Sequence, residues 1–134
     1  MASLSGVVRQ AAVIPFLNDK VCLVLARSGK RWVIPKGCLE PGKSAGEIGL
    51  QEAWEEAGLS GILNPEPAGS YTYEKDGRKY HVMVFYMNVT QVAEKWPEAS
   101  WRERCWVSFP QAAKAVEETG LQEIFRWMMT ARVG

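Results

Sequence analysis

Gly37-Cys38-Leu39-Glu40-Pro41-Gly42-Lys43 runs without a gap into Ser44-Ala45-Gly46-Glu47-Ile48-Gly49-Leu50-Gln51-Glu52-Ala53-Trp54-Glu55-Glu56-Ala57-Gly58-Leu59, a broken loop followed by a sharply bounded helix. The loop, taken over residues 35–43, holds two prolines and two glycines, too many interruptions for a helix. Ser44 and Glu47 have capping-box spacing: the serine side chain accepts from the third backbone N–H while the glutamate reaches back to the serine N–H. Gly58 can turn left-handed where the helix stops, and Leu59 supplies the apolar contact that accompanies such an ending. The signals predict a helix over residues 45–57. At about 100° per residue, Leu50, Ala53, Trp54 and Ala57 form one stripe and Glu52, Glu55 and Glu56 lie opposite it.

Like charges three and four residues apart cost a helix about 0.2–0.5 kcal/mol per pair, so this glutamate face is mildly unfavourable until a cation answers it. A solvated acidic surface is the plain reading, and a hard divalent cation is the functional one. Position favours the second, because Lys36 and Lys43 in the preceding loop put phosphate-binding charge beside the carboxylates in sequence.

Outward from this centre, residues 7–16 and 21–26 are apolar, β-branched runs separated by Asn18-Asp19-Lys20, which predicts a hairpin. Trp32-Val33-Ile34 reads as a short strand. After a Gly/Pro-rich connection, residues 70–74 and 79–90 predict a second hairpin turning at Asp76-Gly77. Residues 105–109 read as a last strand, Pro110 opens a helix to about Glu118, and Gly120 separates it from a final helix ending near Met129. Trp54 and Trp127 are assigned to the core, and Trp32 or Trp101 to a pocket wall.

The 134 residues suit one domain, residues 1–134, with one core. Hydrophobic content of 47% and a formal net charge of +1 describe an ordinary globular chain with no global pull toward nucleic acid or an anionic membrane. No apolar run reaches the ~18 residues of a membrane span, and the first residues lack the pattern of a signal peptide, so a cytoplasmic protein is expected. Cys22, Cys38 and Cys105 are read as ordinary thiols, without disulfide or zinc spacing. The single histidine, His81, lies in an apolar strand and is read as structural.

Residues 37–59 resemble the Nudix box, G-x5-E-x7-R-E-U-x-E-E-x-G-U with U aliphatic, at Gly37, Glu52, Ala53, Glu55, Glu56, Gly58 and Leu59. Two positions depart from it: Lys43 stands where the family has its first glutamate and Gln51 where it has arginine. A family carboxylate–guanidinium pair is thus expected to be replaced by an ammonium–amide contact. The resemblance implies an α/β (α+β) fold, an α/β/α sandwich with a mixed sheet, and hydrolysis of a diphosphate linkage in a small-molecule substrate.

It also implies Mg²⁺, with Mn²⁺ as the alternative, bound by Glu52 and Glu56, and Glu55 as the base that deprotonates water. Glu98 or Glu103, outside the helix, are the other base candidates. Beyond the box the chain is similar to diphosphoinositol polyphosphate phosphohydrolases, which also act on diadenosine polyphosphates, through Arg31-Trp32-Val33-Ile34-Pro35, Arg78-Lys79 and the Arg102-to-Trp106 stretch. On that resemblance Arg9, Arg27, Lys36, Arg78, Lys79 and Arg102 are expected to grip the phosphates.

Gly37 to Ser44 also fits the P-loop pattern G-x-x-x-x-G-K-[ST]. That reading fails chemically. Asp19 and Asp76 both lie at turns rather than on a buried strand that could supply the metal's Asp, and Glu40 would place negative charge inside the phosphate cradle. Two rivals stand beside the hydrolase: a metabolite sensor that binds without turnover, its box weakened at Lys43 and Gln51, and a nucleoside triphosphate pyrophosphatase. Oligomeric state has no sequence signal here.

Overall fold

The computed structural model describes residues 6–131, which contain eight strands and three helices. β1 (Val7–Leu17) and β2 (Lys20–Leu25) form the expected hairpin. Asn18 and Asp19 take φ values of 53° and 65°, the positive pair that a tight two-residue turn requires. β6 (Gly69–Lys75) and β7 (Arg78–Val92) form the second hairpin across Asp76-Gly77. The two hairpins join where β1 runs parallel to β7, from Val7 opposite Lys79 to Phe16 opposite Asn88. β3 (Trp32–Val33) and β8 (Arg104–Ser108) flank β2, β5 (Leu59–Leu63) pairs with the far half of β7, and β4 (Lys36–Cys38) with the start of β1. Every pairing except β1 with β7 is antiparallel, so the sheet is mixed.

Side chains alternate across a strand, and β1 uses both of its faces. Ala12 and Ile14 join Leu23, Val84, Leu121 and Phe125 in the core under α2 (Phe109–Ala115) and α3 (Thr119–Ala131). Val13 joins Cys22, Val24, Ala53, Phe85 and Met87 in the core under α1 (Ala45–Ala57). The chain is therefore the mixed-sheet α/β/α sandwich expected from sequence. Among the described residues no helix is long and apolar enough to cross a membrane.

Several expectations are corrected. The loop over residues 35–43 contains β4, and the connection after Gly58 contains β5, whose bulge at Ser60-Gly61 hides its alternation. At Gly61 a Cβ would lie 2.0 Å from the Asn88 carbonyl oxygen, so only glycine fits. α2 ends at Ala115, because Val116 takes an extended backbone (φ −87°, ψ 152°) and releases Glu117 and Glu118 from the helix. α3 starts at Thr119, which puts Gly120 inside it, where the missing side chain admits Tyr71.

Trp54 and Trp127 are 41% and 55% exposed and do not belong to the core. On α1 the buried stripe is rotated toward Ile48, Gly49, Ala53, Glu56 and Ala57, and the small Gly49 lets the helix settle against Val13 on β1. The rotation carries Trp54 out and Glu56 in.

Candidate active site

α1 is held at both ends. Ser44 Oγ accepts from Glu47 N–H at 3.1 Å and Glu47 Oε1 from Ser44 N–H at 2.8 Å, the full capping box. Gly58 closes the helix with φ 68° and ψ 31°. The last carbonyls are tied from outside: Trp96 Nε1 donates to Glu56 O at 3.0 Å, and Arg104 donates to Ala57 O at 2.6 Å and Ala93 O at 2.7 Å while stacking over Trp96. A guanidinium at a helix C-terminus also meets the negative end of the helix dipole. The glutamates thus project from a fixed rod. Gly37 on β4 brings the loop against that rod, since a Cβ there would lie 2.6 Å from the Glu52 carboxyl.

Glu52 and Glu56 face a cleft of about 330 Å³. Arg27, Arg31, Lys36, Lys75 and Arg102 supply its cationic lining, and Gln10, Tyr73, Tyr80 and Glu98 are also exposed to it. The Tyr73 hydroxyl donates to Gln10 Oε1 at 2.8 Å, its ring stacks on Tyr80 at 4.7 Å, and the Lys36 ammonium lies 5.5 Å from its centre. Arg102 is buried, donating from Nε to Glu98 Oε1 at 2.8 Å and from a terminal nitrogen to Leu25 O at 2.6 Å. Arg27 and Arg102 both lie over Trp101, so that ring carries two of the cleft's cations without lining the cleft itself. A larger, shallower hollow of about 710 Å³ lies beyond Tyr73 and holds none of the helix glutamates.

Burial pushes Glu56 up to about 9, helped by its hydrogen bond to Glu52 and opposed by Arg102 and Lys36. Glu52 is also raised, chiefly by burial, while its hydrogen bond with Glu56 works the other way. Both carboxyls are therefore held above the ordinary carboxylate range. Burial lowers Lys36 from the ordinary lysine value, against the pull of Glu56 and Glu118. Two adjacent carboxyls raised in this way, Glu56 buried and Glu52 half-buried, are hard oxygen donors that a divalent cation can serve in place of a proton. Among the described residues no set of three His, Cys, Asp or Glu side chains converges on one point, and Glu52 and Glu56 are the helix carboxylates that line the cleft. Mg²⁺ accepts such a set, completing its shell with water and substrate oxygens, and the pair fits it.

Of the residues expected from sequence, the structure brings together Glu52, Glu56, Arg27, Lys36 and Arg102, with Gly37 and Gly58 shaping the frame. Lys43 Nζ donates to Gln51 Oε1 at 2.6 Å, the ammonium–amide contact expected from the two departures, and Gln51 Nε2 donates onward to Glu55 Oε2 at 3.1 Å. Glu55 itself lies beside the cleft rather than in its lining, and its backbone carbonyl accepts from Glu98 N–H at 3.1 Å.

Arg9, Arg78 and Lys79 are exposed and outside the cleft. Strand alternation explains two of them, since Arg9 adjoins Gln10 and Lys79 adjoins Tyr80, whose side chains take the cleft face. Arg78 sits at the hairpin tip.

Sequence reasoning missed Tyr73, Lys75 and Tyr80, and quoted Arg31 only as part of a motif. A signal existed for the tyrosines: a turn at Asp76-Gly77 pairs Lys75 with Arg78, and hence Tyr73 with Tyr80. Arg31 pairs with Glu118, 87 residues away, which no local pattern reveals.

A family model for the NUDIX domain matches residues 7–128, and the chain belongs to that family. Nudix hydrolase 4 of Arabidopsis thaliana is 37% identical over 109 residues, covering 78% of this chain and 51% of that protein. Diphosphoinositol polyphosphate phosphohydrolase 3-beta of Bos taurus is 31% identical over 118 residues, covering 84% and 71%. The chain therefore spans about half the length of the Arabidopsis relatives it matches. In solved structures the fold is shared by the E. coli ORF135 protein, with TM-score 0.75 and 22% identity over 94% of this chain and 93% of that one. A C. elegans Ap4A hydrolase matches with TM-score 0.69 and 18% identity over 92% and 97%.

Proposed function

We propose that this protein is a Mg²⁺-dependent hydrolase of a diphosphate linkage in a small, polyphosphorylated metabolite of the diadenosine polyphosphate or diphosphoinositol polyphosphate class. One observation carries the reading: the Glu52–Glu56 pair, half-buried and buried, and a wall of five cations share a single cleft of about 330 Å³. Carboxylates suit a hard cation, and guanidinium and ammonium groups suit phosphate oxygens. The relatives named as diphosphoinositol polyphosphate phosphohydrolases and the Ap4A hydrolase fold support that substrate class.

Glu52 and Glu56 would hold the ion, which when bound polarises a phosphoryl group and lowers the pKa of water. Arg27, Arg31, Lys36, Lys75 and Arg102 bind and orient the phosphates. Water adds to phosphorus, the bridging P–O bond breaks, and the water proton passes to a carboxylate. Two carboxylates compete for that proton. Glu55 is assigned by family position, its carboxylate oriented by Gln51 at 3.1 Å, whereas Glu98 lines the cleft and is oriented by Arg102 at 2.8 Å.

Incubation with diadenosine polyphosphates, diphosphoinositol polyphosphates, nucleoside triphosphates and nucleotide sugars, with and without Mg²⁺, tests the reading by mass spectrometry of products. Metal-dependent cleavage at a diphosphate linkage is expected. Pyrophosphate released from one nucleoside triphosphate would instead make the chain a triphosphate pyrophosphatase, and tight binding without turnover a sensor. Glu55→Gln and Glu98→Gln then identify the base, the true one losing kcat while remaining folded.

A further inference from the structure

Glu118 belongs to neither α2 nor α3, yet it is buried, with its side chain 6% exposed. The extended backbone at Val116 turns it inward from the end of α2, and its carbonyl then accepts from Gln122 N–H at 3.0 Å in α3. Its Oε2 accepts from the Arg31 guanidinium at 2.7 Å, and its Oε1 is buried without a hydrogen-bond partner. Arg31 remains 27% exposed and lines the cleft beside Glu52, Glu56 and Lys36, and Glu117 also lies near it, at 3.9 Å.

A buried carboxylate with an unsatisfied oxygen is poor material for stability, since an apolar residue at such a place commonly serves folding as well or better. Its geometry is better suited to aiming a side chain. One terminal nitrogen of Arg31 is claimed by Glu118, and among the described residues no hydrogen-bond partner is seen for the other guanidinium N–H groups of this cleft-lining side chain. We propose that Glu118 is a positioning residue: from the α2–α3 corner it holds Arg31 in the orientation that grips a phosphate of the bound substrate. The inference rests on the hydrolase reading only for its kinetic readout, because the grip itself is a binding property.

The experiment uses the full chain and methylenediphosphonate, a non-hydrolysable diphosphate, titrated calorimetrically in Mg²⁺ into the parent, Glu118→Gln, Glu118→Ala, Arg31→Ala and the Arg31→Ala/Glu118→Ala pair. Loss of an aimed, charge-assisted contact weakens binding roughly tenfold. Glu118→Ala is expected to show that loss, Glu118→Gln to recover most of it by keeping an acceptor, and the double variant to bind no more weakly than Arg31→Ala alone.

With a hydrolysed substrate the same variants should raise KM more than they lower kcat. A Glu118→Ala protein with lowered Tm but unaltered affinity, or an equal affinity loss in the Arg31→Ala background, would overturn the proposal. Should Glu118→Ala fail to fold, Glu118→Leu, which removes the acceptor while filling the buried site, takes its place in both Arg31 backgrounds: affinity lost only where Arg31 is present supports the proposal, and equal loss in both overturns it. Normal diphosphonate affinities with no turnover of any substrate would sink the hydrolase reading while leaving the Glu118 effect measurable.

Discussion

Replacing Glu56 with glutamine should make the metal-free protein more stable at alkaline pH, against the usual outcome of mutating a site residue. In the folded chain Glu56 titrates at about 9, against an ordinary value of 4.5. Between those two values the folded state holds a proton that the unfolded chain has given up, so stability must fall as pH rises. Each pH unit in that window is worth about 1.4 kcal/mol, which comes to about 3 kcal/mol by pH 7 and about twice that by pH 9. Set against a total stability on the order of 5–15 kcal/mol, the loss is large.

Glu56→Gln preserves the neutral shape at every pH and removes this slope. Glu52, whose value is raised, and Lys36, whose value is lowered, both feel Glu56, so the difference between parent and variant reports the coupled set, in which buried Glu56 supplies the largest share of the slope. Urea unfolding in a chelator at half-unit steps from pH 5 to 9 measures it. The advantage of the variant should grow with pH at close to the stated rate, and at pH 8 added Mg²⁺ should stabilise the parent far more than the variant. A stability difference that is flat across the whole range would refute the claim that burial keeps Glu56 protonated.

Gly37→Ala would place a Cβ 2.6 Å from the Glu52 carboxyl, so that side chain must move aside. A displacement near 1 Å at a reacting centre costs about 100-fold in rate, and kcat should drop by that order while the urea midpoint changes little. Lys43→Ala removes the 2.6 Å bond to Gln51 at an exposed site. Its stability loss should stay below about 1 kcal/mol, with a measurable fall in kcat as Gln51 loses its hold; a variant matching the parent in both would show the contact to be idle. Arg104→Ala strips the Ala57 and Ala93 carbonyls of their donors, and thermal unfolding should show a loss of about 2–4 kcal/mol.

Local chemistry made α1 legible in the sequence to the residue, because Ser44, Glu47 and Gly58 are signals that act within one turn of the helix. Both hairpins were legible for the same reason, their turns at Asn18-Asp19 and Asp76-Gly77 being short-range. What stayed hidden was set by tertiary contact. β5 is defined by its pairing to β7 around a bulge, and the inward rotation of Glu56 comes from Gly49 packing against Val13 on β1. At the site, the Nudix box marked the carboxylates, but the cation wall is assembled from the loop between β2 and β3, from β4 and β6, and from the segment before β8, and helical spacing carries no information about it. The misplacement of Arg9 and Lys79 has the same origin, since one residue of strand register decides which face a side chain takes.

The most direct test of the central claim is the initial rate of hydrolysis against Mg²⁺ concentration, for the parent and for Glu56→Gln at equal protein and saturating substrate. The account predicts a saturable dependence in the parent and a rate lower by at least about 100-fold in the variant across the titration. Turnover that persists in a chelator, or a variant whose Mg²⁺ curve overlays the parent's, would contradict the assignment of Glu52 and Glu56 as the metal-holding pair.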